Sequence, residues 1–398
     1  MGVWGKGKFF QEFSLPPQKN KIFLKKFARK KVNRLFFAYI SYTTCFLIVV
    51  RRLQKGRMTD MNYKSVLDCC LENEKRNLSV YAFHTVDTKG RDKPYNTSDV
   101  RTEFQRDRDR ITHCQSFRRL MYKTQVFLSP TGDHYRTRMT HTLEVTQIAR
   151  IIARALRLNE DLTEAAALGH DLGHTPFGHA GEYAMQKCFD ADFTHYKQSL
   201  RVVELLENDG EGLNLTWEVR DGIVNHTGDN LASTLEGVIV KYADRIAYIN
   251  HDIDDACRAG ILSPNDIPSG IRSILGESHS DRINTMVMSI VRASADRPKI
   301  EMEPDVSEAS KALRAFLFER VYRNPIAKGE ESKAQDMLAY LFEYFVKHPD
   351  KMPELYKKRL YLDTVERCAC DFISGMTDRY AIEVYTDICI PKVWRGKQ

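Results

Sequence analysis

The residues best suited to chemistry lie within thirteen positions, His170 to Glu182, which read HDLGHTPFGHAGE. This window holds three histidines, two carboxylates, three glycines and a proline, a mixture that neither a buried helix nor a buried strand uses for packing. Six of the twelve histidines in the chain fall between His134 and His195. Since imidazole binds metals and moves protons near neutral pH, this concentration predicts a functional site, and metal binding is the first hypothesis.

Two imidazoles and two carboxylates form the candidate metal set: His141, His170, Asp171 and Asp244. Nitrogen and oxygen donors of this kind suit Mn²⁺, Fe²⁺, Mg²⁺ or Zn²⁺ and leave positions open for water and phosphate. A His-Asp dipeptide by itself is a weak signal, because the chain contains a second one, His251-Asp252, without a glycine-rich loop after it. The neighbours of His170-Asp171 therefore favour that pair as ligands.

Two helices are predicted to carry the first three of these residues. Apolar residues recur at helical spacing over 139–158, with His141 in the first turn. Asn159 is a suitable N-cap for the next helix, whose acidic first turn matches the positive end of the helix dipole. That helix passes through small residues and ends at His170 and Asp171.

A loop and two further helices complete the predicted site. Residues 172–178 contain two glycines and a proline, which break regular structure, so a loop is expected there. A helix that begins near His179 would place His179 and Glu182 on one face. A long helix over 235–259 carries a polar stripe formed by Asp244, Tyr248 and Asp252.

The rest of the chain predicts an all-α protein, since it shows no alternating strand series and no repeat. Residues 260–305 have weaker periodicity and resemble a variable connection, after which helix patterns return. We expect an N-terminal extension over 1–57, an N-terminal helix and linker over 58–96, and a catalytic core over 97–259. Residues 260–398 would hold the variable connection and a C-terminal helical region packed on the core.

The charge of the chain is divided unevenly. Residues 1–57 hold fourteen basic residues and one acid, whereas the other 341 residues hold 46 basic and 52 acidic ones. The net charge of +7 therefore comes from the extension and does not argue for nucleic-acid binding by the body.

The extension also contains an apolar run, at 35–50, whose sixteen residues fall short of the roughly 20 that a membrane span needs. We expect a start-site artefact or a dispensable segment, with a short membrane anchor as the alternative, and no span elsewhere. Nine cysteines form no CxxC pair, and their odd number argues against a secreted disulfide scaffold. Reduced thiols and a cytoplasmic location follow from this interpretation.

The motifs together resemble a known family. The order His…His-Asp…Asp on helices, centred on HDLGHTPFGHAGE, resembles the HD-domain superfamily of metal-dependent phosphohydrolases. The blocks RDRDRITHCQSFRRLMYKTQVF, YRTRMTHTLEVTQIAR, QSLRVVE, EVRDGIVNHT and ISGMTDRYA are similar to the deoxyguanosinetriphosphate triphosphohydrolase (dGTPase) family, over about 97 to 394. The resemblance implies an HD-domain helical bundle, over the predicted core, with additional C-terminal helices.

The resemblance also implies a reaction, in which a dNTP, dGTP-like in its base, and water give deoxynucleoside and triphosphate. It implies a divalent metal, Mn²⁺, Mg²⁺ or Fe²⁺, held by the four residues of the candidate metal set. His179 would be the catalytic histidine with Glu182 as its partner, and two further active-site histidines would be His174 and His195. The implied substrate contacts are Arg138, Gln125, Tyr248, Arg245 and Asp252.

A homo-oligomer, a hexamer in relatives, and a nucleotide effector are implied in the same way, while no stable nucleic-acid or membrane partner is expected. Two alternatives stay open. Another HD-domain phosphohydrolase, acting on a nucleoside monophosphate, a cyclic nucleotide or an alarmone, would keep the metal ligands without needing His179 and Glu182. A non-catalytic nucleotide sensor would use a degenerate site, against which the intact ligands count.

Overall fold

The computed structural model describes residues 63–95, 100–125, 136–322 and 329–392. Within these ranges the chain consists of α-helices joined by turns and short 3₁₀ and π-helical segments, and it contains no strand, which confirms the predicted all-α fold. The predictions for residues 1–57 lie outside the described residues. In the described ranges no helix is both long enough and apolar enough to cross a bilayer.

The described ranges hold sixteen α-helices, in chain order α1 (Tyr63–Asn77), α2 (Glu103–His113), α3 (Gln115–Arg119), α4 (Arg138–Ala155), α5 (Glu160–Gly169), α6 (His179–Cys188), α7 (His195–Arg201), α8 (Trp217–Val224), α9 (Leu235–Arg258), α10 (Ser269–Leu275), α11 (His279–Ser294), α12 (Pro304–Leu317), α13 (Glu331–Lys347), α14 (Glu354–Arg359), α15 (Val365–Ser374) and α16 (Asp378–Cys389). Tyr63–Gln398 form one compact unit, and the finer boundaries at 96 and 259 stay predictions.

Helices α4, α5 and α9 form the scaffold of the predicted site. They pack through shared buried aliphatic side chains: Val145, Ile148, Ile152, Ala166, Val240, Ala243 and Ile246. Burying a Val, Leu or Ile side chain contributes about 1.5–3 kcal/mol. Their starts are fixed locally, since Thr137 caps α4 and the Asn159 side chain accepts a hydrogen bond from Leu162 N at 3.2 Å, as the sequence predicts for α5.

The C-terminal helices hold α6 in place. A second apolar cluster joins α6 to α13 and α15 through Ala184, Met185, Leu338, Leu341, Phe345 and Phe372. Because α6 begins at His179 and carries Glu182 in its first turn, this packing fixes the helix that presents both residues.

The segment 260–305 is more regular than its weak periodicity indicates. It contains α10 and α11, and α11 begins with a capping box in which Ser278 and Asp281 exchange hydrogen bonds with each other's backbone. Met286 and Ile290 are fully buried in the same cluster as α4 and α9. Half of the buried residues of α11 are polar, namely Arg282, Ser289 and Ser294, so its buried face gives a weak apolar pattern in the sequence.

Candidate active site

The four predicted metal ligands come together where α4, the end of α5 and α9 meet. The Nε2 atom of His141 lies 3.0 Å from Oδ1 of Asp244. The Nε2 atom of His170 lies 3.8 Å from the same oxygen and 3.7 Å from Oδ1 of Asp171. Donor atoms from four side chains therefore meet at one buried site, although His141 and Asp244 are 103 positions apart in sequence.

These donors fit a divalent cation. His170 Nδ1 lies 2.6 Å from the carbonyl oxygen of Ala167, to which it donates, so the lone pair of this imidazole is on Nε2. That nitrogen is buried, and among the described residues nothing hydrogen-bonds to it. Since a buried polar atom without a partner is costly, a bound cation is its natural partner. The residues that would hold the metal are His141, His170, Asp171 and Asp244.

Both carboxylates of the cluster are ionised at neutral pH. Burial alone would raise the pKa of Asp171, but its interactions with the His170 imidazole and the Arg138 guanidinium outweigh burial and hold this pKa well below the usual range. Burial would likewise raise the pKa of Asp244, yet the hydrogen bond from His141 lowers it to about 2. Ionised carboxylates are the form that binds metal.

His179 and Glu182 share one face of α6, as predicted. His179 Nδ1 lies 3.4 Å from Oε2 of Glu182, and 84% of the His179 side chain is exposed. The second oxygen, Oε1, accepts a hydrogen bond from the backbone N of His195 at 2.8 Å and lies 3.1 Å from its Nδ1. Burial would raise the pKa of Glu182, but hydrogen bonds from both histidines outweigh it and hold the pKa far below its ordinary value. One ionised carboxylate thus links the two imidazoles.

His174 and His195 lie in contact but differ in charge. Their rings stack with centroids 4.6 Å apart. Burial would lower the pKa of His195, yet the hydrogen bond with Glu182 raises it above the ordinary value. Burial and the nearby charge of Arg138 hold the pKa of His174 well below its usual range. The pair therefore offers one ring whose protonated form is favoured, His195, and one neutral ring, His174.

The sequence reasoning missed His226, which lies between the metal cluster and the linked side chains of His179, Glu182 and His195. Its Nε2 atom lies 3.3 Å from Nε2 of His195, and its ring centroid is 4.9 Å from that of His170. Burial, helped by the neighbouring imidazoles of His170 and His195, lowers the pKa of His226 to about 3. The signal was available, because this residue is the next-to-last of the block EVRDGIVNHT.

The predicted loop 172–178 packs against α7. Gly173 N donates to the hydroxyl oxygen of Ser199 at 2.9 Å, and this hydroxyl donates to the carbonyl oxygen of His170 at 2.7 Å. A Cβ atom at Gly173 would lie 2.1 Å from the backbone N of Ser199, so this close approach requires glycine. The loop therefore holds the backbone of a metal ligand in place.

Two further side chains that the sequence reasoning did not name fix the same loop. Lys123 is buried and its Nζ donates to the carbonyl oxygen of His174. Asp378 accepts hydrogen bonds from Phe177 N at 2.9 Å and from Thr124 N at 2.9 Å. Both residues lie in blocks that carry the family resemblance, Lys123 in the first and Asp378 in ISGMTDRYA.

Of the predicted substrate contacts, Arg138 and Gln125 border this cluster. Arg138 Nη1 donates to Oδ2 of Asp171 at 2.8 Å, which fixes the guanidinium beside the metal ligands. A Cβ atom at Gly178, where φ is +58°, would lie 3.1 Å from Arg138 Nη2, so glycine leaves room for this group. The buried Oε1 atom of Gln125 has no hydrogen-bond partner within the described part of the chain, as expected of an atom reserved for a ligand.

The stripe on α9 is divided between two environments. Asp252 is buried and accepts a hydrogen bond from the hydroxyl of Tyr322, while Tyr248 is partly exposed one turn before it. Arg245 lines a separate cavity with Lys311 and Arg314 from α12. The structure therefore places Asp244 in the metal cluster, and it does not bring Arg245 to that cluster.

Comparison with known proteins gives this site a family. The HD domain model matches residues 138–249, and the phosphohydrolase-associated domain model matches residues 300–387. Fold and site thus define an HD-domain phosphohydrolase. A deoxyguanosinetriphosphate triphosphohydrolase-like protein of Caldanaerobacter subterraneus subsp. tengcongensis is 55% identical over 81% of this chain and 95% of its own length. The chain belongs to the family of deoxyguanosinetriphosphate triphosphohydrolase-like proteins.

Two other members of that family are similarly related. The protein of Desulfatibacillum aliphaticivorans is 48% identical over 79% of this chain and 95% of its own length. The protein of Clostridium tetani is 46% identical over 77% of this chain and 91% of its own length. The matches therefore span nearly whole relatives.

Proposed function

We propose that this chain is a divalent-metal-dependent dNTP triphosphohydrolase, which converts a dNTP with a dGTP-like base and water to deoxynucleoside and triphosphate. The observation that carries the proposal is the adjacency of two sets of residues. One is the buried metal cluster, and the other is the relay in which Glu182 lies 3.4 Å from His179 and 3.1 Å from His195. The names of the relatives support the same reaction.

In this reaction a water oxygen bonds to the α-phosphorus, the bond from that phosphorus to the 5′-oxygen breaks, and a proton ends on the 5′-oxygen. A divalent ion held by the cluster would act as a Lewis acid on a phosphate oxygen. Arg138 would add charge-assisted hydrogen bonds to the phosphates, because one of its nitrogens is fixed on Asp171 and the guanidinium has further donors.

His179 would protonate the leaving oxygen. Its Nδ1 faces Glu182, which leaves Nε2 directed outward from an exposed side chain. The ionised Glu182 stabilises the charged imidazole, and His195 in turn fixes the carboxylate. General acid catalysis of this kind contributes about 10²- to 10⁴-fold.

The sugar would lie against α9 and Gln125. The Oε1 atom of Gln125, which has no partner among the described residues, and the buried carboxyl of Asp252 can both hydrogen-bond a 3′-hydroxyl. The partly exposed ring of Tyr248 offers a surface for the deoxyribose. The cavity with Arg245, Lys311 and Arg314 is basic, and its charge suits a polyphosphate.

The test is to incubate the full-length chain with Mn²⁺ and each of the four dNTPs and to separate the products. Intact triphosphate with deoxynucleoside is the expected result, with dGTP turned over fastest. Pyrophosphate or orthophosphate would instead support another HD-domain phosphohydrolase. No turnover with the dNTPs, singly or mixed, would favour a nucleotide sensor. Light scattering on the same sample would test the homo-oligomer, and addition of a second dNTP would test the nucleotide effector.

A further inference from the structure

The helix that carries His179 begins without a side-chain cap. The residue before α6 is Gly178, which has no side chain to accept a hydrogen bond from the first turn. By contrast, the Thr137 side chain caps α4 and the Asn159 side chain caps α5. Because the first N–H groups of a helix need partners from outside it, the first turn of α6 depends on the residues that precede it.

The backbone of Phe177, just before this uncapped end, has an unusual conformation. Its φ angle is +61°, in the left-handed region that is unfavourable for a residue with a bulky side chain. Its carbonyl oxygen accepts a hydrogen bond from Ala180 N at 3.2 Å, which links this conformation to the first turn of α6. Such a conformation persists only where the surrounding structure holds it.

The carboxylate of Asp378, 201 positions along the chain, binds this backbone. Its Oδ1 atom accepts a hydrogen bond from Phe177 N at 2.9 Å, and its Oδ2 atom accepts from Thr124 N at 2.9 Å and from Thr124 Oγ1 at 2.7 Å. The residue lies in the first turn of α16 and is buried. Both oxygens face backbone N–H groups, so a group with two acceptors fits here and an amide fits only in part.

We propose that Asp378 is a positioning residue for His179, which holds Phe177 in its left-handed conformation and thereby fixes the first turn of α6. This inference rests on the proposed function, in which His179 protonates the 5′-oxygen. The His179 side chain is 84% exposed and lies 3.4 Å from Glu182, so its direction depends mainly on the helix that carries it.

The consequence is a loss of proton transfer without a loss of metal. Proton transfer requires the donor to lie within hydrogen-bond reach of the leaving oxygen, and a small displacement of the first turn of α6 removes this reach. The candidate metal ligands lie on α4, at the end of α5 and on α9, where Asp378 makes none of the hydrogen bonds given above.

The test is a double-mutant cycle on turnover of dGTP with Mn²⁺. Asp378→Ala alone is expected to lower kcat by about 10- to 100-fold, the size of effect that a misplaced catalytic group produces, with KM little changed. In the His179→Ala background the same change is expected to lower kcat by less than about threefold, because the group that it positions is absent. A merely structural role would give the same factor in both backgrounds.

Two further variants separate positioning from general instability. Asp378→Asn keeps one acceptor oxygen and is expected to retain more of kcat than Asp378→Ala. Phe372→Leu is the matched control, because its ring packs on Phe345 and Tyr356, at 4.9 and 5.1 Å between centroids, among the C-terminal helices. It is expected to lower the temperature of unfolding and to leave kcat unchanged below that temperature.

Hydrogen–deuterium exchange reads the same effect without turnover. The amides of Ala180 and Glu182 are protected by hydrogen bonds to the carbonyl oxygens of Phe177 and Gly178. In Asp378→Ala both are expected to exchange about tenfold faster or more, while the amides of α9 keep their rates.

Equal losses of kcat in the two backgrounds, or unchanged exchange in the first turn of α6, would overturn the proposal. If Asp378→Ala did not fold, Asp378→Asn would replace it in both measurements, and the same two results would count against the proposal. Absence of dNTP turnover in the wild-type chain would reject the proposed function instead, and the exchange rates would still decide whether Asp378 fixes α6.

Discussion

The two His-Asp dipeptides of this chain differ in the charge that their surroundings give them. At His170-Asp171, the neighbouring His170 imidazole and the Arg138 guanidinium keep the carboxylate ionised despite its burial. At His251-Asp252, burial raises the pKa of Asp252 to about 7, and the hydrogen bond from Tyr322 offsets this in part. Burial likewise lowers the pKa of His251 to about 2. The first pair is thus suited to bind a cation, whereas the second is neutral in mildly acidic solution.

The difference comes from side chains far away in sequence. Arg138 lies 33 positions before Asp171, and Tyr322 lies 70 positions after Asp252. An arginine beside a buried carboxylate favours the ionised form, while a hydroxyl beside it supplies no charge to offset burial. The charge state of each dipeptide therefore depends on the side chains that pack against it.

The most direct test of the difference between the two dipeptides is to replace the histidine by glutamine in each of them. His170→Gln should release the metal and lower activity by about a thousandfold or more, because the cluster loses a buried nitrogen to which no described residue hydrogen-bonds. His251→Gln should keep the metal, since this ring touches His141 edge-on, at 6.2 Å between centroids, without belonging to the cluster. Metal content by elemental analysis and turnover of dGTP measure both effects.

Equal metal loss in the two variants would contradict the distinction between the pairs. A loss of 10- to 100-fold in His251→Gln with metal retained would still agree with it, because residues that pack behind a ligand typically have effects of that size.

A second change separates metal binding from proton transfer. His179→Ala should lower turnover by about 10²- to 10⁴-fold, because the leaving oxygen loses its proton donor. Metal content should stay the same, since the His179 side chain is 84% exposed and its partner is Glu182. Loss of metal in this variant would show that the relay and the metal cluster are not independent.

The sequence predicted the parts of the site that depend on local pattern. The start of α5 at Asn159, the loop 172–178 and the start of α6 at His179 follow from capping, glycine and helix-dipole rules, and the structure contains all three. The pKa of Asp252 could not be predicted in this way, because it depends on Tyr322, which a helix far along the chain brings into contact.

The role of His226 could not be predicted from local sequence pattern either. A single histidine in a helix-forming block is usually structural, and no spacing rule connects it to His195, 31 positions earlier. The contact arises because α7 and α8 pack together, which is a tertiary event. Lys123 was equally hard to assign, because a charged side chain in a basic block is normally solvated, whereas this one is fully buried against backbone carbonyls.

The neutral state of Asp252 can be tested through the pH dependence of the free energy of unfolding. In the unfolded chain the pKa of Asp252 is near 3.8, and in the folded protein it is about 7, so folding binds its proton more tightly. The stability that this group contributes is present below about pH 4 and is lost as the pH rises through 7. Between pH 5 and 7 the loss is about 2 kcal/mol. Asp252→Asn cannot ionise and should remove that slope in chemical unfolding with chelator present.

Asp350→Asn is the control for the stability test, because Asp350 is exposed and should leave the slope unchanged. Parallel pH dependences for wild-type protein and Asp252→Asn would show that Asp252 is ionised in the folded state. The two dipeptides would then carry the same charge, and the comparison would fail.

The smallest effect is expected for a change at His279, which contacts His251 of the His251-Asp252 dipeptide. His279 begins α11, stacks on His251 with centroids 5.8 Å apart, and lies 3.6 Å from Oδ2 of Asp254 with about a third of its side chain exposed. Partly exposed pairs of this kind contribute about 0.2–1 kcal/mol, so His279→Ala should lower the free energy of unfolding by no more than about 1 kcal/mol. Metal content should be unchanged, because His251 and not His279 adjoins the ligand His141. Loss of metal in His279→Ala would mean that His279, acting through His251, also holds the metal ligand His141 in place.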